Sequence, residues 1–174
     1  MKKEIKIIGI IPARGGSKSI PYKNIALLDG RPLIYYTIRE AKKSKLLDAF
    51  IVSTDDIKIA EVAKSLGAEV PFLRPSKYAQ DTSTDLDFLK HAVEWLEKNR
   101  GWKPEIVVGL EPTSPSRTGK DIDNLIDFML KSGCDSARTL VSAGPYNPFK
   151  MWNFLDQKTG QIKPVLKTKY YKKL

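Results

Sequence analysis

Residues 9–24, GIIPARGGSKSIPYKN, gather the side chains in this chain best suited to chemistry. An apolar run ends at Pro12. Arg14, Gly15, Gly16, Ser17 and Lys18 follow, then Lys23 and Asn24. Paired glycines let a backbone pass close to a ligand and reach positive φ. Successive N–H groups in such a turn form a concavity for an anion. Arg14, Lys18 and Lys23 add positive charge, and Ser17 adds a hydroxyl donor. The spacing is neither that of a P-loop nor the glycine fingerprint of a dinucleotide fold. A basic surface turn would have the same composition. The position of this loop, directly after what reads as the first strand of an α/β sheet, points instead to phosphate, as carried by a nucleotide.

The elements that must position this loop alternate. EIKIIGII (4–11) is a short isoleucine-rich run, suited to a buried strand. GRPLIYYTIREAKKS (30–44) predicts a helix with Pro32 in its first turn. AFIVSTD (49–55) predicts a second strand. Asp55 and Asp56 then open a helix with Ile59, Val62, Ala63 and Leu66 inward, stopped by Gly67. As metal ligands these two aspartates are less expected than as caps. AEVPFLRP (68–75) predicts a third strand. Thr84 and Asp87 form a capping box for a helix whose apolar stripe is Leu86, Leu89, Val93 and Leu96. EIVVGL (105–110) predicts a fourth strand. Thr118 and Asp121 repeat the box before a helix with Ile122, Leu125, Ile126, Met129 and Leu130 inward, ended by Gly133. DSARTLVSA (135–143) predicts a fifth strand, and 151–166 a hairpin turning at KTG.

This alternation predicts a doubly wound, mostly parallel α/β sheet. Ligands of such sheets bind beyond the carboxyl ends of the strands. PARGGSKS, TDD and EPTSPSR all begin there and should share one crevice. The chain has 174 residues, which suits one compact domain. No apolar run reaches the ~20 residues of a membrane span. A single cysteine, Cys134, excludes an internal disulfide framework, and a cytoplasmic setting is expected. The net charge is +10, but residues 158–174 hold six lysines and no acid. That tail reads as a solvated end, with nucleic acid or an anionic surface as the alternative. His91 reads as structural, and Cys134 has no partner for nucleophilic chemistry.

IIPARGGSKSIPYKNI, followed in order by LLDGRPLIYYTI, IVSTDD, FLRP, DTSTD and EPTSPSRT, resembles the acylneuraminate cytidylyltransferase (CMP-N-acetylneuraminic acid synthetase) family. The likeness runs from about residue 5 to 150. It implies a Rossmann-like nucleotidyltransferase domain over 1–145, a partial β-hairpin dimerisation arm over 146–166 and a basic tail over 167–174. It implies transfer of CMP from CTP to the anomeric hydroxyl of a nonulosonic acid such as N-acetylneuraminate, with release of pyrophosphate. Mg²⁺ or another divalent cation and a homodimer come with it, whereas membrane and nucleic acid do not. Members of the family extend past the point where this chain stops and carry a late acidic segment for the metal. The resemblance therefore implies a chain shortened at its C-terminus. A CTP-binding remnant without turnover, or a basic nucleic-acid-binding protein, would be the alternatives.

By resemblance, Arg14 and Lys23 are the catalytic residues. Gly15, Gly16, Ser17 and Lys18 would cradle the triphosphate with them, and Asn24 would hold phosphate or ribose. Arg74 would sit at base and ribose, and Ser83 and Thr84 at the cytosine, a role compatible with capping. Asp85 departs from the small residue usual there and either accepts from the cytosine amine or faces solvent. Glu111 replaces a glutamine that contacts the acceptor; it would alter the acceptor's identity or join the metal shell. Arg117 either contacts the acceptor or braces its loop. Lys150 would reach a neighbouring subunit's acceptor site, with Met151, Trp152 and Phe154 at the interface or over the chain's own core.

Overall fold

The computed structural model describes residues 6–139, 152–156 and 161–164. The chain divides into two compact units, Met1–Ala137 and Arg138–Leu174. In chain order the first contains β1 (Ile7–Pro12), β2 (Leu27–Leu28), β3 (Arg31–Pro32), α1 (Leu33–Lys43), β4 (Ala49–Ser53), α2 (Ile57–Ser65), α3 (Asp85–Arg100), β5 (Ile106–Gly109) and α4 (Gly119–Ser132). Single 3-10 turns lie at Lys23–Ile25 and Ser76–Tyr78.

β1 runs between β4 and β5 and is parallel to both. Its isoleucines serve both faces of the sheet. Ile8 and Ile10, with Ile51 of β4, meet Phe88, Ala92 and Leu96 of α3. Ile11 lies on the other face with Val52, Ile106 and Val108, against Ile34 and Ile38 of α1, Ile59 and Ala63 of α2, and Ile122 and Ile126 of α4. Helices thus cover both faces, which is the doubly wound arrangement. Each fully buried isoleucine contributes about 1.5–3 kcal/mol relative to exposure. The strand order reverses at β1. The chain crosses from β1 to β4 on one side and later returns to β5 on the other. The loops leaving β1 and β5 therefore part company at one edge and open a crevice between them.

Several expected boundaries move. α1 begins at Leu33, because Asp29 and Gly30 both take positive φ, 48° and 72°, in a two-residue turn joining β2 to β3. Asp-Gly is a favoured sequence for such a turn. Residues 68–75 form no regular strand; only Glu69 bridges to Ile51 of β4 and Leu73 to Thr54 just after it. Pro71 and Pro75 lack the N–H groups a ladder needs. Leu86 is 70% exposed and Leu130 56%, so neither joins the core. Phe88 and Ala92 take the inward positions on α3 instead. Residues 135–139 form no strand, and 140–143 lie outside the described residues. Among the described residues no helix is long and apolar enough to cross a membrane. In the second unit β6 (Trp152–Asp156) and β7 (Gln161–Pro164) pair antiparallel, as the hairpin reading expected.

A buried glutamate fixes the start of α4. Glu40 of α1 is 4% exposed. Its Oε2 accepts from the Gly119 N–H at 3.0 Å, and its Oε1 accepts from Lys43 Nζ at 2.9 Å and Arg39 Nε at 2.7 Å. A Cβ on Gly119 would stand 3.0 Å from the Glu40 carbonyl oxygen and from Lys43 Cβ, so only glycine permits this approach of α4 to α1. The Thr118–Asp121 box completes the cap, with Thr118 N–H donating to Asp121 Oδ2 at 2.8 Å. Burial pushes the Glu40 carboxyl up, but Lys43, the Gly119 N–H and Arg39 outweigh it and leave it below the usual range. A depressed carboxyl stabilises the fold above its unfolded pKa, and that contribution fades as pH falls through the folded value. Glu40→Ala, which leaves the Gly119 N–H unsatisfied, should cost about 1–3 kcal/mol at neutral pH. The gap to wild type should close on acidification below the ordinary glutamate range. Denaturant titrations across pH test this; a gap that stays constant to low pH would refute the ionic role.

Candidate anion-binding cleft at the carboxyl edge of the sheet

The loop leaving β1 is held by its own backbone. Ala13 N–H donates to the Ser53 carbonyl at 3.0 Å and Ser17 N–H to the Gly15 carbonyl at 2.9 Å. Gly15 N–H donates to Asp55 Oδ1 at 3.0 Å, and Asn24 Nδ2 to the Arg14 carbonyl at 3.0 Å. Asn24 is buried, so its amide braces the loop from beneath. Asp56 caps α2, accepting from Ile59 N–H at 3.0 Å. Asp55 does not cap the helix; it holds the glycine loop. The two glycines differ. A Cβ on Gly15 would lie 2.8 Å from Asp56 Oδ2 and 2.9 Å from its Cβ, whereas one on Gly16 would meet nothing within 4 Å. Neither takes the positive φ expected from the sequence; among the described residues the glycines that do are 30, 67, 101 and 133.

A cleft of about 260 Å³ opens beside this loop. Arg14, Ser17, Lys23 and Asn24 line it from the β1 side, Arg74 and Ser83 from the segment before α3, and Glu111 from the loop after β5. These residues are up to 97 positions apart, Arg14 to Glu111, and the strand reversal brings them to one wall-to-wall space. Lys18, Gly15, Gly16, Thr84 and Arg117 are not among the lining residues. Lys150 lies outside the described residues. The TDD segment does not line the cleft either; it reaches it only through the Asp55 bond to Gly15.

Arg74 is 5% exposed and its guanidinium is spent on protein atoms. Nε donates to Ser53 Oγ at 3.0 Å, Nη2 to the Ser53 carbonyl and Nη1 to the Tyr78 carbonyl at 3.4 Å. The Phe88 ring lies 4.8 Å beneath it. Burial lowers its pKa to about 10, with Asp55 and Glu111 holding it up, so it stays charged at neutral pH. It knits the end of β4 to the turn that carries Ser83. Ser83 itself donates to the Lys77 carbonyl at 3.1 Å and accepts from Gln80 N–H at 3.1 Å. Thr84 N–H donates to Asp87 Oδ2 at 2.7 Å, as the capping box requires, and Thr84 Oγ1 donates to the same oxygen at 2.9 Å.

Across the cleft, Arg117 Nη2 donates to the Glu111 carbonyl at 3.0 Å, which is the bracing geometry. The Glu111 side chain reaches solvent, yet the cleft walls strip part of its hydration. That desolvation, together with Asp85, pushes its carboxyl above the usual range, while Arg117, Arg74 and Lys23 pull it down. Lys23 differs from the other two cations that line the cleft. Among the described residues it has no ion-pair or side-chain hydrogen-bond partner, whereas Arg74 is tied to Ser53 and Arg14 to Asp81. Asp81, which the sequence reading passed over, pairs with Arg14 Nη2 at 2.9 Å and with Lys18 Nζ. Its acidic neighbourhood in DTSTD was visible; its cationic partners 67 and 63 positions earlier were not.

Residues 8–169 match the family model described as cytidylyltransferase. The chain is 36% identical over 165 residues to a CMP-N,N'-diacetyllegionaminic acid synthase of Legionella pneumophila, covering 93% of this chain and 68% of the relative. It is 39% identical over 117 residues to an N-acylneuraminate cytidylyltransferase of Escherichia coli, covering 67% of this chain and 26% of the relative. In architecture it resembles a CMP:2-keto-3-deoxy-manno-octonic acid synthetase complexed with CTP, with a TM-score of 0.61, 23% identity, and coverage of 74% of this chain and 48% of that one.

The glycine pair makes a direct test. Gly15→Ala should push Asp56 off its cap, lower the melting temperature and weaken anion binding together. Gly16→Ala should leave the melting temperature unchanged. Equal melting temperatures for both variants would overturn the close-approach account of Gly15.

Proposed function

The chain belongs to the cytidylyltransferase family, and from that premise we propose that it transfers CMP from CTP to the anomeric hydroxyl of a nonulosonic, sialic-type acid. The observation that carries this reading is the cleft, where Arg14, Ser17, Lys23 and Asn24 of one loop face Ser83 and Glu111 of two others. Relatives named for legionaminic and neuraminic acids support the acceptor class.

In this reading the anomeric oxygen attacks the α-phosphorus in line. The bond from that phosphorus to the bridging oxygen breaks, and pyrophosphate leaves with the electron pair. Such a step needs positioning and neutralisation of developing charge more than covalent help. Arg14 and Ser17, which line the cleft, hold the phosphates, joined by Lys18, which shares Asp81 with Arg14; the Gly15 N–H is taken by Asp55. Lys23, uncommitted among the described residues, is the cation available to the charge that develops on transfer. Ser83 and Thr84 lie on the cytosine side, and Arg74 shapes that wall from within. Glu111, braced by Arg117 at its carbonyl, stands on the acceptor side. Its carboxylate disfavours an anionic group at that contact and favours a donor. A homodimer in which Lys150 completes a neighbour's acceptor site is part of the same proposal.

A divalent cation would neutralise phosphate charge in this chemistry. Among the described residues no group of three or more His, Cys, Asp or Glu is placed to hold a metal ion. A Mg²⁺ ion carried on a triphosphate needs only one or two protein carboxylates, and Glu111, which lines the cleft, would be the one to join its shell; the cations of the cleft would share the neutralisation with it.

Calorimetric titration with CTP, UTP, GTP and ATP, each with Mg²⁺, should show selective CTP binding. Pyrophosphate release with CTP should then depend on one of a panel of nonulosonic acids. CTP binding with no release from any acceptor would leave a nucleotide-binding protein without turnover; no nucleotide preference would reject the reading. Lys23→Ala should lower kcat at least a hundredfold and weaken CTP binding only a few-fold. Equal losses in both would remove its transition-state role. Glu111→Gln should alter acceptor preference and leave CTP affinity unchanged; a fall in CTP affinity would put Glu111 at the nucleotide instead.

A further inference from the structure

Arg14 and Lys18 lie in the loop after β1, and Asp81 in the loop before α3. Asp81 meets the two cations with different oxygens: Oδ1 takes Arg14 Nη2 at 2.9 Å and Oδ2 takes Lys18 Nζ. A single carboxylate thus spans two cations, one oxygen to each. A phosphate group makes the same pattern with two of its oxygens. Asp81, Arg14, Ser17 and Lys23 line the same cleft. The helix-capping system beside it uses other carboxylates, since Thr84 donates to Asp87. No described contact gives Asp81 a capping role. Its partners are the cations of the phosphate loop.

We propose that Asp81 is an internal counter-anion seated in the phosphate subsite, and that a ligand must displace it to bind. Asp81 then acts as a specificity-determining residue. A ligand exchanges its own charge for the carboxylate's on Arg14 and Lys18. A polyphosphate, with several charges and many oxygens, wins that exchange. A monoanion or a neutral nucleoside gains little from it. The threshold is set on charge and not on the base. The inference rests on the reading of Arg14 and Lys18 as phosphate ligands, and it adds the group that competes for them.

The probe is inorganic pyrophosphate, titrated calorimetrically into the full chain at low and high salt. Asp81→Asn keeps the shape and removes the charge. It should bind pyrophosphate about three- to tenfold tighter than wild type, with the advantage shrinking as salt rises. CTP should tighten in parallel, and uncharged cytidine should not change. Asp81→Glu should stay near wild type. Pyrophosphate affinity in Asp81→Asn that is equal to or weaker than wild type overturns the inference, because the carboxylate would then be a brace that remains in place. Binding to neither protein overturns it as well. If Asp81→Asn does not fold, the carboxyl ¹³C resonance of Asp81 in wild type decides. It should shift on pyrophosphate addition as the bridges break, and a static resonance rejects displacement. Pyrophosphate has no base, so this result is separate from CTP selectivity. Tighter pyrophosphate without any nucleotide preference would keep the counter-anion and discard the cytidylyl reading.

Discussion

The cleft depends on one constraint: β1 is parallel to a strand on each side and covered by helices on each face. A strand so placed can carry no charge, and residues 7–13 carry none. Everything polar is pushed past its carboxyl end, where the loop from 14 to 24 begins. After that loop the chain crosses first to β4 on one side of β1 and later to β5 on the other. The segments following β1 and β5 must then diverge, and the space between them is the cleft. The chemistry is confined to that edge because the rest of the sheet is sealed.

A cleft lined by several cations has a problem of its own, which is that they repel one another. The structure answers it with carboxylates that arrive from different loops. Asp81 sits between Arg14 and Lys18. Asp55 and Glu111 offset part of the burial that lowers the Arg74 pKa. Arg74 in turn is the tie between β4, the turn at residues 76–78 and the ring of Phe88. Lys23 alone among the cleft cations has no ion-pair or side-chain hydrogen-bond partner among the described residues, and it meets the Glu111 carboxyl only through space. A cation without a contacting partner gains most from a ligand's charge, since it gives up little besides water.

The supports of the cleft are mostly backbone atoms held by side chains from far along the chain. Asp55 holds the Gly15 N–H and Asn24 the Arg14 carbonyl. Glu40 plays the same part at the other wall, where its carboxylate receives the Gly119 N–H and sets where the helix after EPTSPSRT begins. These are partly or fully buried pairs whose members would be costly to leave unpaired. They give the loops a fixed shape without placing a helix or strand in them.

What the sequence determined by itself lies within short range. Alternating apolar runs set the strands and helices, the Thr84–Asp87 and Thr118–Asp121 boxes set two helix starts, and Gly67 and Gly133 set two ends, because each signal acts over three or four residues. The composition of PARGGSK, which suits an anion loop, is local in the same way. The Asp29–Gly30 turn is equally local, but Pro32 two residues on is also a helix-start signal, and the two compete in the sequence. The inward face of α3 was misjudged at Leu86, since a helix's apolar stripe does not reveal where the sheet it covers comes to an end. Only the tertiary structure decided that Asp81 faces Arg14 and Lys18, that Asp55 holds Gly15, and that Arg74 turns inward to Ser53. Charges pair according to which loops the strand reversal brings together, and that depends on the whole path of the chain and not on any neighbour in it.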